Sequence, residues 1–223
     1  MIKVLITGGA GYIGSVVVNY LMENGNFEVC IVDNLSTGHR EFVHPKAKFF
    51  DCDLTDFGEL KNIVYDFNPE IVVHFAGVSQ VGESNLDPAK YYKNNVFGGV
   101  CLLKAMLGSG CKKIVFSSSA AVYGEPLEIP MTENHSLKPI SVYGESKALL
   151  EKMLQFYSDA HGFKFLALRY FNVAGADPDG EIGQSSKVAT HLIKFAALTE
   201  LGVKKEFYLF GDDYATADGT FIR

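Results

Sequence analysis

The sequence predicts an α/β fold, a doubly wound sheet of parallel strands, on three observations. Short apolar runs of strand length alternate along the chain with stretches of helical periodicity. The first run, Ile2 to Ile6, opens directly onto Gly8, Gly9 and Gly11. The polar and glycine residues that stand out further on fall at strand C-terminal ends or helix N-termini, the edge at which such sheets bind ligands.

After the glycines, apolar residues recur at helical spacing as Ile13, Val16, Val17, Tyr20 and Leu21, and a second strand-like run, Val29 to Val32, ends on Asp33. Strand, glycine turn, helix, strand and terminal acid make a nucleotide-binding βαβ unit of the Rossmann type. Gly8 permits the tight turn, Gly11 lets backbone approach a pyrophosphate, and Gly14 lets the helix pack closely on the sheet. Unpaired N–H groups at the helix start, with the helix dipole, favour phosphate charge. Asp33 is placed to accept hydrogen bonds from a ribose 2′-hydroxyl, and its carboxylate would repel a 2′-phosphate, which favours NAD over NADP. The spacing is G-x-x-G-x-x-G rather than G-x-G-x-x-G, and Ser15 stands where a Walker loop requires lysine. Alone, the glycines are equally an ordinary strand-to-helix turn; the flanking strands, helix and acid carry the reading.

Lys48 to Leu54 reads as a third strand, with Asp53 set either to meet an adenine amino group or, with Thr55 and Asp56, to cap a helix from Phe57 to Phe67. Ile71 to Phe75 is a fourth buried strand, followed by Ala76 and Gly77, which leave room for a ligand against the backbone. His74 within it reads as a core histidine. A long helix is expected from Asp87-Pro88 through Leu107, and the poor helix formers Asn94 and Asn95 inside it need partners in the fold or on a cofactor. Lys113 to Phe116 is a fifth strand running into Ser117, Ser118 and Ser119, whose hydroxyls either face the ligand edge or satisfy loose backbone groups. Pro126, Pro130 and Pro139 mark an excursion loop from Glu125 to Pro139. A helix from Tyr143 to His161 and a sixth strand from Lys164 to Arg169 follow. Asp177 to Gly183 is rich in turn residues, Val188 to Leu201 reads as a helix, and Phe207 to Phe210 as a short strand.

Across 223 residues, 48% are apolar and 21% charged, as in an ordinary globular chain. A net charge of −6 without a basic run argues against a nucleic-acid surface. No apolar run approaches bilayer length, and the first one stops at Thr7 and Gly8, unlike a signal peptide, so a cytoplasmic protein is expected. Cys30, Cys52, Cys101 and Cys111 lack metal-ligand spacing and read as buried free thiols. No metal site is expected.

Tyr143 and Lys147 stand four apart at the start of a helix, on one face. A lysine one turn away, with the helix dipole, is expected to lower the tyrosine pKa. Tyr143 then suits the role of general acid and base at a substrate hydroxyl, and Ser119 at the neighbouring strand end can bond the same hydroxyl.

Together, T-G-G-x-G-Y-I-G (Thr7 to Gly14), D-N (Asp33, Asn34), H-F-A-G (His74 to Gly77), Y-Y-x-N-N-V (Tyr91 to Val96), S-S-S-A-x-V-Y-G (Ser117 to Gly124), Y-G-x-S-K (Tyr143 to Lys147) and R-Y-F-N-x-x-G-A (Arg169 to Ala176) resemble the UDP-glucose 4-epimerase family of extended short-chain dehydrogenases/reductases. The resemblance implies a Rossmann-type NAD-binding domain over residues 1–172. It implies the start of a substrate-binding region over 173–223, that lobe being incomplete because relatives continue beyond the arginine matching Arg223. It implies catalysis by Tyr143, Lys147 and Ser119 through a 4-keto sugar. NAD would meet Gly8, Gly11, Tyr12, Ile13, Gly14, Asp33, Asn34, Asp53, Leu54, Phe75, Ala76, Gly77, Asn95, Ser117, Tyr143, Lys147 and Phe171. A UDP-sugar would meet Ser119, Tyr143, Asn172, His191, Leu192, Tyr208, Phe210 and Arg223. Ser79 and Lys194 depart from the family, which often has lysine at the first position and proline at the second. Ala120 and Ala121 stand where dehydratases carry acids, and no G-x-S-x-G elbow is present. The alternatives are an epimerase of another nucleotide sugar and a fragment that binds NAD without turnover. Oligomeric state is open, a homodimer being common among relatives.

Overall fold

The computed structural model describes residues 1–185, 191–208 and 211–220. The chain divides into two compact units, Met1–Gly183 and Gln184–Arg223. The first unit is a six-stranded, all-parallel sheet with strands β1 Ile2–Thr7, β2 Phe27–Asp33, β3 Lys48–Asp51, β4 Ile71–His74, β5 Lys113–Ser117 and β6 Lys164–Leu168. Its helices are α1 Tyr12–Glu23, α2 Phe57–Phe67, α3 Val81–Leu86, α4 Pro88–Tyr91, α5 Gly98–Ser109 and α6 Val142–His161.

The strand order is β3-β2-β1-β4-β5-β6. The order reverses between β1 and β4, so a crevice opens beyond their carboxyl ends. The central stretches Val4–Ile6 of β1 and Val29–Val32 of β2 are apolar without alternation because both faces are covered. On one face Leu5, Cys30, Val32, Val72, Ile114 and Phe116 meet Leu60 and Val64 of α2, Leu102 and Met106 of α5, and Leu150 and Leu154 of α6. On the other, Val4, Ile6, Val29 and Ile31 pack on Val18 of α1. All four cysteines are free and buried, and burial pushes the thiols of Cys30 and Cys52 up to about 12.

One stretch differs from expectation. The helix expected from Asp87 to Leu107 is α4 and α5 joined by a π-helical turn, Tyr92–Phe97, with the separate α3 before it. Asn95 lies within that turn and is buried. The loop that follows β6 belongs to the first unit, because Tyr12 donates from its hydroxyl to Gly175 O at 2.6 Å and Asp177 and Ile182 bond each other across the turn.

In the second unit, α7 runs Leu192–Glu200 and closes on Leu198 O, which accepts from Val203 and Lys204 N–H. The first residues of the helix expected from Val188, and the end of the strand expected at Phe207 to Phe210, lie outside the described residues; Phe207 and Tyr208 themselves are not in a strand.

Candidate functional site

At the crevice, the glycine turn is zipped to the end of β4. Gly8 N–H donates to Val32 O, and Thr7 O accepts from Phe75 and Ala76 N–H. Gly8 has φ +73°, and a Cβ there would lie 2.5 Å from Ala76 N. A Cβ on Gly14 would lie 2.1 Å from Gly8 O. Helix α1 therefore starts hard against the turn. Its N-cap, Gly11, brings no side-chain acceptor, and no acid lies in its first turn. The first amides and the positive end of the dipole meet no protein counter-charge from that turn, which is the arrangement that suits a phosphate.

Asp33 ends β2 beside them. Its carboxylate accepts from Ala10 N–H at 3.0 Å and Leu35 N–H at 2.9 Å, and burial raises its pKa. Two bonds leave lone pairs for a ribose hydroxyl, so the residue both braces the turn and can serve a ligand. Asn34 accepts from Ser36 N–H and donates to Asp53 at 2.9 Å. Asp53 also accepts from the amide and hydroxyl of Thr55. Burial alone would raise Asp53, but those donors, with Lys93 nearby, hold it below the usual carboxylate range. The cap of α2 is Asp56, through Glu59 N–H. Leu54 packs its side chain into the core, leaving its backbone at the strand end.

His74 is a core residue. Its Nδ1 lies 2.7 Å from Thr7 Oγ1, its ring stacks on Phe116, and burial, then the charge of Lys147, holds its pKa at about 3. Asn95 is satisfied in the fold: it donates to Val78 O and Ser146 Oγ at 3.0 Å and accepts from Val78 N–H at 2.9 Å. It thereby clips the loop after β4 to α6, and a Cβ on Gly77 would lie 2.9 Å from its Oδ1.

Beyond β5, Ser141 caps α6 through Gly144 N–H and sets Tyr143 and Lys147 on its first turns. Lys147 is buried and donates to Ser117 O at 2.9 Å, with Nζ 5.8 Å from the Tyr143 ring centroid. Burial lowers its pKa to about 8. The expected lowering of Tyr143 is not what the structure gives. Burial raises the phenol, and the Ser119 hydroxyl, not Lys147, pulls it back. The ammonium spends its bond on Ser117 O, and desolvation of the ring outweighs it. The Ser119 oxygen also accepts from Ala121 N–H at 3.1 Å, the backbone-satisfying role expected of it. Ser117 Oγ bonds Tyr170 OH.

Phe171 and Asn172 follow β6 and are exposed. His191, which bonds Gln184, Leu192 and Tyr208, which bonds Glu206, belong to the second unit. Phe210 and Arg223 lie outside the described residues. Among the described residues no group of three or more His, Cys, Asp or Glu could hold a metal.

The sequence profile of the NAD dependent epimerase/dehydratase family matches residues 4–223. This chain belongs to that family. Among curated relatives, UDP-glucose 4-epimerase of Streptococcus mutans is 49% identical over 99% of this chain and 66% of its own length, and that of Lactobacillus helveticus 48% over 99% and 67%. This member of the epimerase/dehydratase family thus spans about two thirds of the relatives it matches. A crystal structure of the Brucella ovis enzyme in complex with NAD superposes with TM-score 0.93 at 42% identity, covering 99% of this chain and 67% of that one. The Bifidobacterium longum enzyme in complex with NAD+ and UDP superposes at 0.92 and 36%, covering 98% and 68%.

Sequence reasoning missed two buried residues, Tyr91 and Glu151. Tyr91 is fully buried, donates toward Gln80 O and Glu83, and sets its ring edge-on to Tyr143 with centroids 6.5 Å apart. Glu151 is 7% exposed, bonded by Ser118 and Arg169. Its signal was an acid four residues beyond Lys147, on the flank of α6 that carries the tyrosine and lysine.

Proposed function

We propose that this chain binds NAD and interconverts UDP-glucose and UDP-galactose at C4 of the sugar, with Tyr143 as acid and base. The observation that carries this reading is the half-buried phenol of Tyr143, set beside the Ser119 hydroxyl past the end of β5 and the buried Lys147 ammonium one turn along α6. It is supported by relatives named UDP-glucose 4-epimerase and by neighbours solved with NAD.

The residues present fit the cofactor. The uncapped start of α1 (Gly11, Tyr12, Ile13, Gly14) takes the phosphates, with Gly8 shaping the turn, and Asp33 takes the ribose. Asn34, Asp53 and the Leu54 backbone meet adenine. Phe75, Ala76, Gly77, Ser117 and Phe171 line the crevice, and Asn95 holds its loop in place. NAD, when bound, supplies the hydride acceptor and donor. Tyr143 takes the proton of the 4-hydroxyl and returns it to the oxygen of the 4-keto sugar, while Ser119 and Asn172 orient the sugar. A lysine with a pKa of about 8 remains a cation at neutral pH, while the group that draws the phenol downward is the Ser119 hydroxyl.

Purified protein releasing NAD on acid treatment and turning over UDP-galactose is the expected result. Tyr143→Phe should keep its NAD and lose roughly 100- to 10,000-fold in turnover. Because the chain spans about two thirds of its relatives, a second reading is NAD binding without turnover; bound NAD with no UDP-galactose activity would select it. Protein without NAD affinity overturns both.

A further inference from the structure

We propose that Glu151 is a positioning residue for this reaction, acting through Ser118 to set where the Ser119 hydroxyl meets Tyr143. The inference rests on the reading of Tyr143 as acid and base. Ser119 has extended backbone, φ −154° and ψ 149°, two residues past the end of β5. Ser118 is its immediate neighbour in the chain, so fixing the Ser118 side chain restricts the backbone that aims Ser119.

Ser118 is 1% exposed, and its hydroxyl donates to Glu151 Oε1. The same carboxylate accepts from Arg169 Nε at 3.0 and 3.1 Å and from Nη2 at 2.6 Å. Arg169 Nη1 reaches on to Tyr123 OH at 3.2 Å and Glu133 O at 3.3 Å. The turn after β5 is thus gripped at Ser118 and again at Tyr123, with Ser119 between. Ala120 N–H, bonded to Tyr170 O at 3.1 Å, adds a third hold. Lys147 and Glu151 extend from Tyr143 in steps of four along α6, so one helix carries the phenol and the anchor of the hydroxyl that serves it.

A buried ion pair adds little stability over apolar side chains of equal volume, because desolvation offsets the attraction. An apolar pair would fill this space but could not accept the Ser118 hydroxyl. Alignment of the turn is what the ion pair adds.

The test is the ionisation of Tyr143, followed by carbon-13 NMR of labelled tyrosine and assigned by the resonance lost in Y143F. The groups facing that phenol are Ser119 from the β5 turn, Lys147 on its own helix, Tyr170 after β6 and Tyr91 of α4. S119A should shift the midpoint upward. S118A, which leaves the ion pair intact, should shift it the same way by less, and S118A/S119A should match S119A alone because both act through one bond. E151Q should shift it at least as far as S118A. Where turnover is measurable, S118A lowers kcat on the order of tenfold with KM unchanged. A purely structural role would lower thermal stability in S118A and E151Q and leave Tyr143 titrating as in the parent; that result, or additive shifts in the double variant, overturns the proposal. S118A decides the matter should E151Q fail to fold. Absence of NAD or turnover in the parent would sink the epimerase reading without touching the titration.

Discussion

The ligand edge of the sheet is built in two different ways on its two sides. Beyond β1 and β2 it is made of backbone: Gly8, Gly11 and Gly14 bring main chain to main chain, and the one charged group, Asp33, is tied to two backbone amides. Beyond β5 it is made of side chains: Ser117, Ser118, Ser119, Tyr143, Lys147, Glu151, Arg169 and Tyr170, nearly all buried or half-buried, bond one another across three elements. The first side holds a shape. The second holds protons, at the cost of burying a cation and phenols. A ligand that needs both anchoring and proton exchange is served by this division.

Breaking the backbone side should have the largest effect. In Gly14→Ala the new Cβ meets Gly8 O at 2.1 Å and Gly9 Cα at 2.8 Å, atoms of the turn itself that cannot rotate away. The expected loss is about 4 kcal/mol or more, near the whole stability of a small domain. Gly25 is the control: its φ is +68°, but nothing lies within 4 Å. Gly25→Ala should cost only the roughly 1–2 kcal/mol of a left-handed residue. Urea unfolding of both proteins measures the gap; equal losses would mean that close approach is not what the third glycine supplies.

The same division explains what could be read from the sequence. The βαβ unit was legible to within a residue or two because its glycines, helix period and terminal acid are local signals. Tyr143, Lys147 and Ser119 were legible as residues, through spacing and strand-end position. Their electrostatics were not: a helical lysine four residues on predicts a lowered phenol, and only the tertiary burial of the ring reverses the sign. Asn95 shows the same limit. Its misfit in a helix was plain, but Val78 and Ser146, 17 and 51 residues away, had to be brought beside it before its role could be chosen. Glu151 looked like any surface acid on a helix until Arg169 and Ser118 closed on it.

His74 stands at the seam between the two sides, bonded to Thr7 and stacked on Phe116. Its folded pKa of about 3 lies below the unfolded value near 6.5. Between those values the unfolded chain binds more protons, so stability is present above about pH 6.5 and is lost as pH falls toward 3. The slope from this residue is at most about 1.4 kcal/mol per pH unit. Unfolding free energies across that window should flatten by about this amount in His74→Asn. A slope unchanged from the parent would show that the ring is already charged in the folded state.

Lys147→Met sharpens the comparison by separating stability from proton chemistry. The ammonium is buried with its pKa lowered to about 8, so charging it in the fold costs free energy at neutral pH. Above pH 8 the folded chain gives up the proton while the unfolded chain keeps it up to about 10.5, and the cost fades over that window. Methionine fills a similar volume without charge, leaving only Ser117 O to find another partner. The variant should be as stable as the parent at pH 7 or more so, by about 1 kcal/mol, with the difference closing as pH rises past 8. Turnover should fall sharply in the same protein. Thermal melts that place it well below the parent would show that the lysine is there to hold the fold.

The smallest effect should come from Tyr12→Phe, which touches the backbone-built side without disturbing its turn. The hydroxyl of Tyr12 is the bond that ties the start of α1 to Gly175, 163 residues away. Burial raises the phenol, so it stays neutral and acts as a donor throughout the working range. The bond is partly exposed, and water can replace it at Gly175 O, so the global cost is about 0.5–1 kcal/mol. The local cost is larger in kind, because residues 173–183 make no strand or helix and hold their place by a few such bonds. Hydrogen exchange at the Asp177 and Ile182 amides should therefore quicken while the exchange of β1 and β2 stays as in the parent. Uniform quickening across the sheet would mean that the two sides of the ligand edge are mechanically one, and that the backbone side leans on its side chains as heavily as the other does.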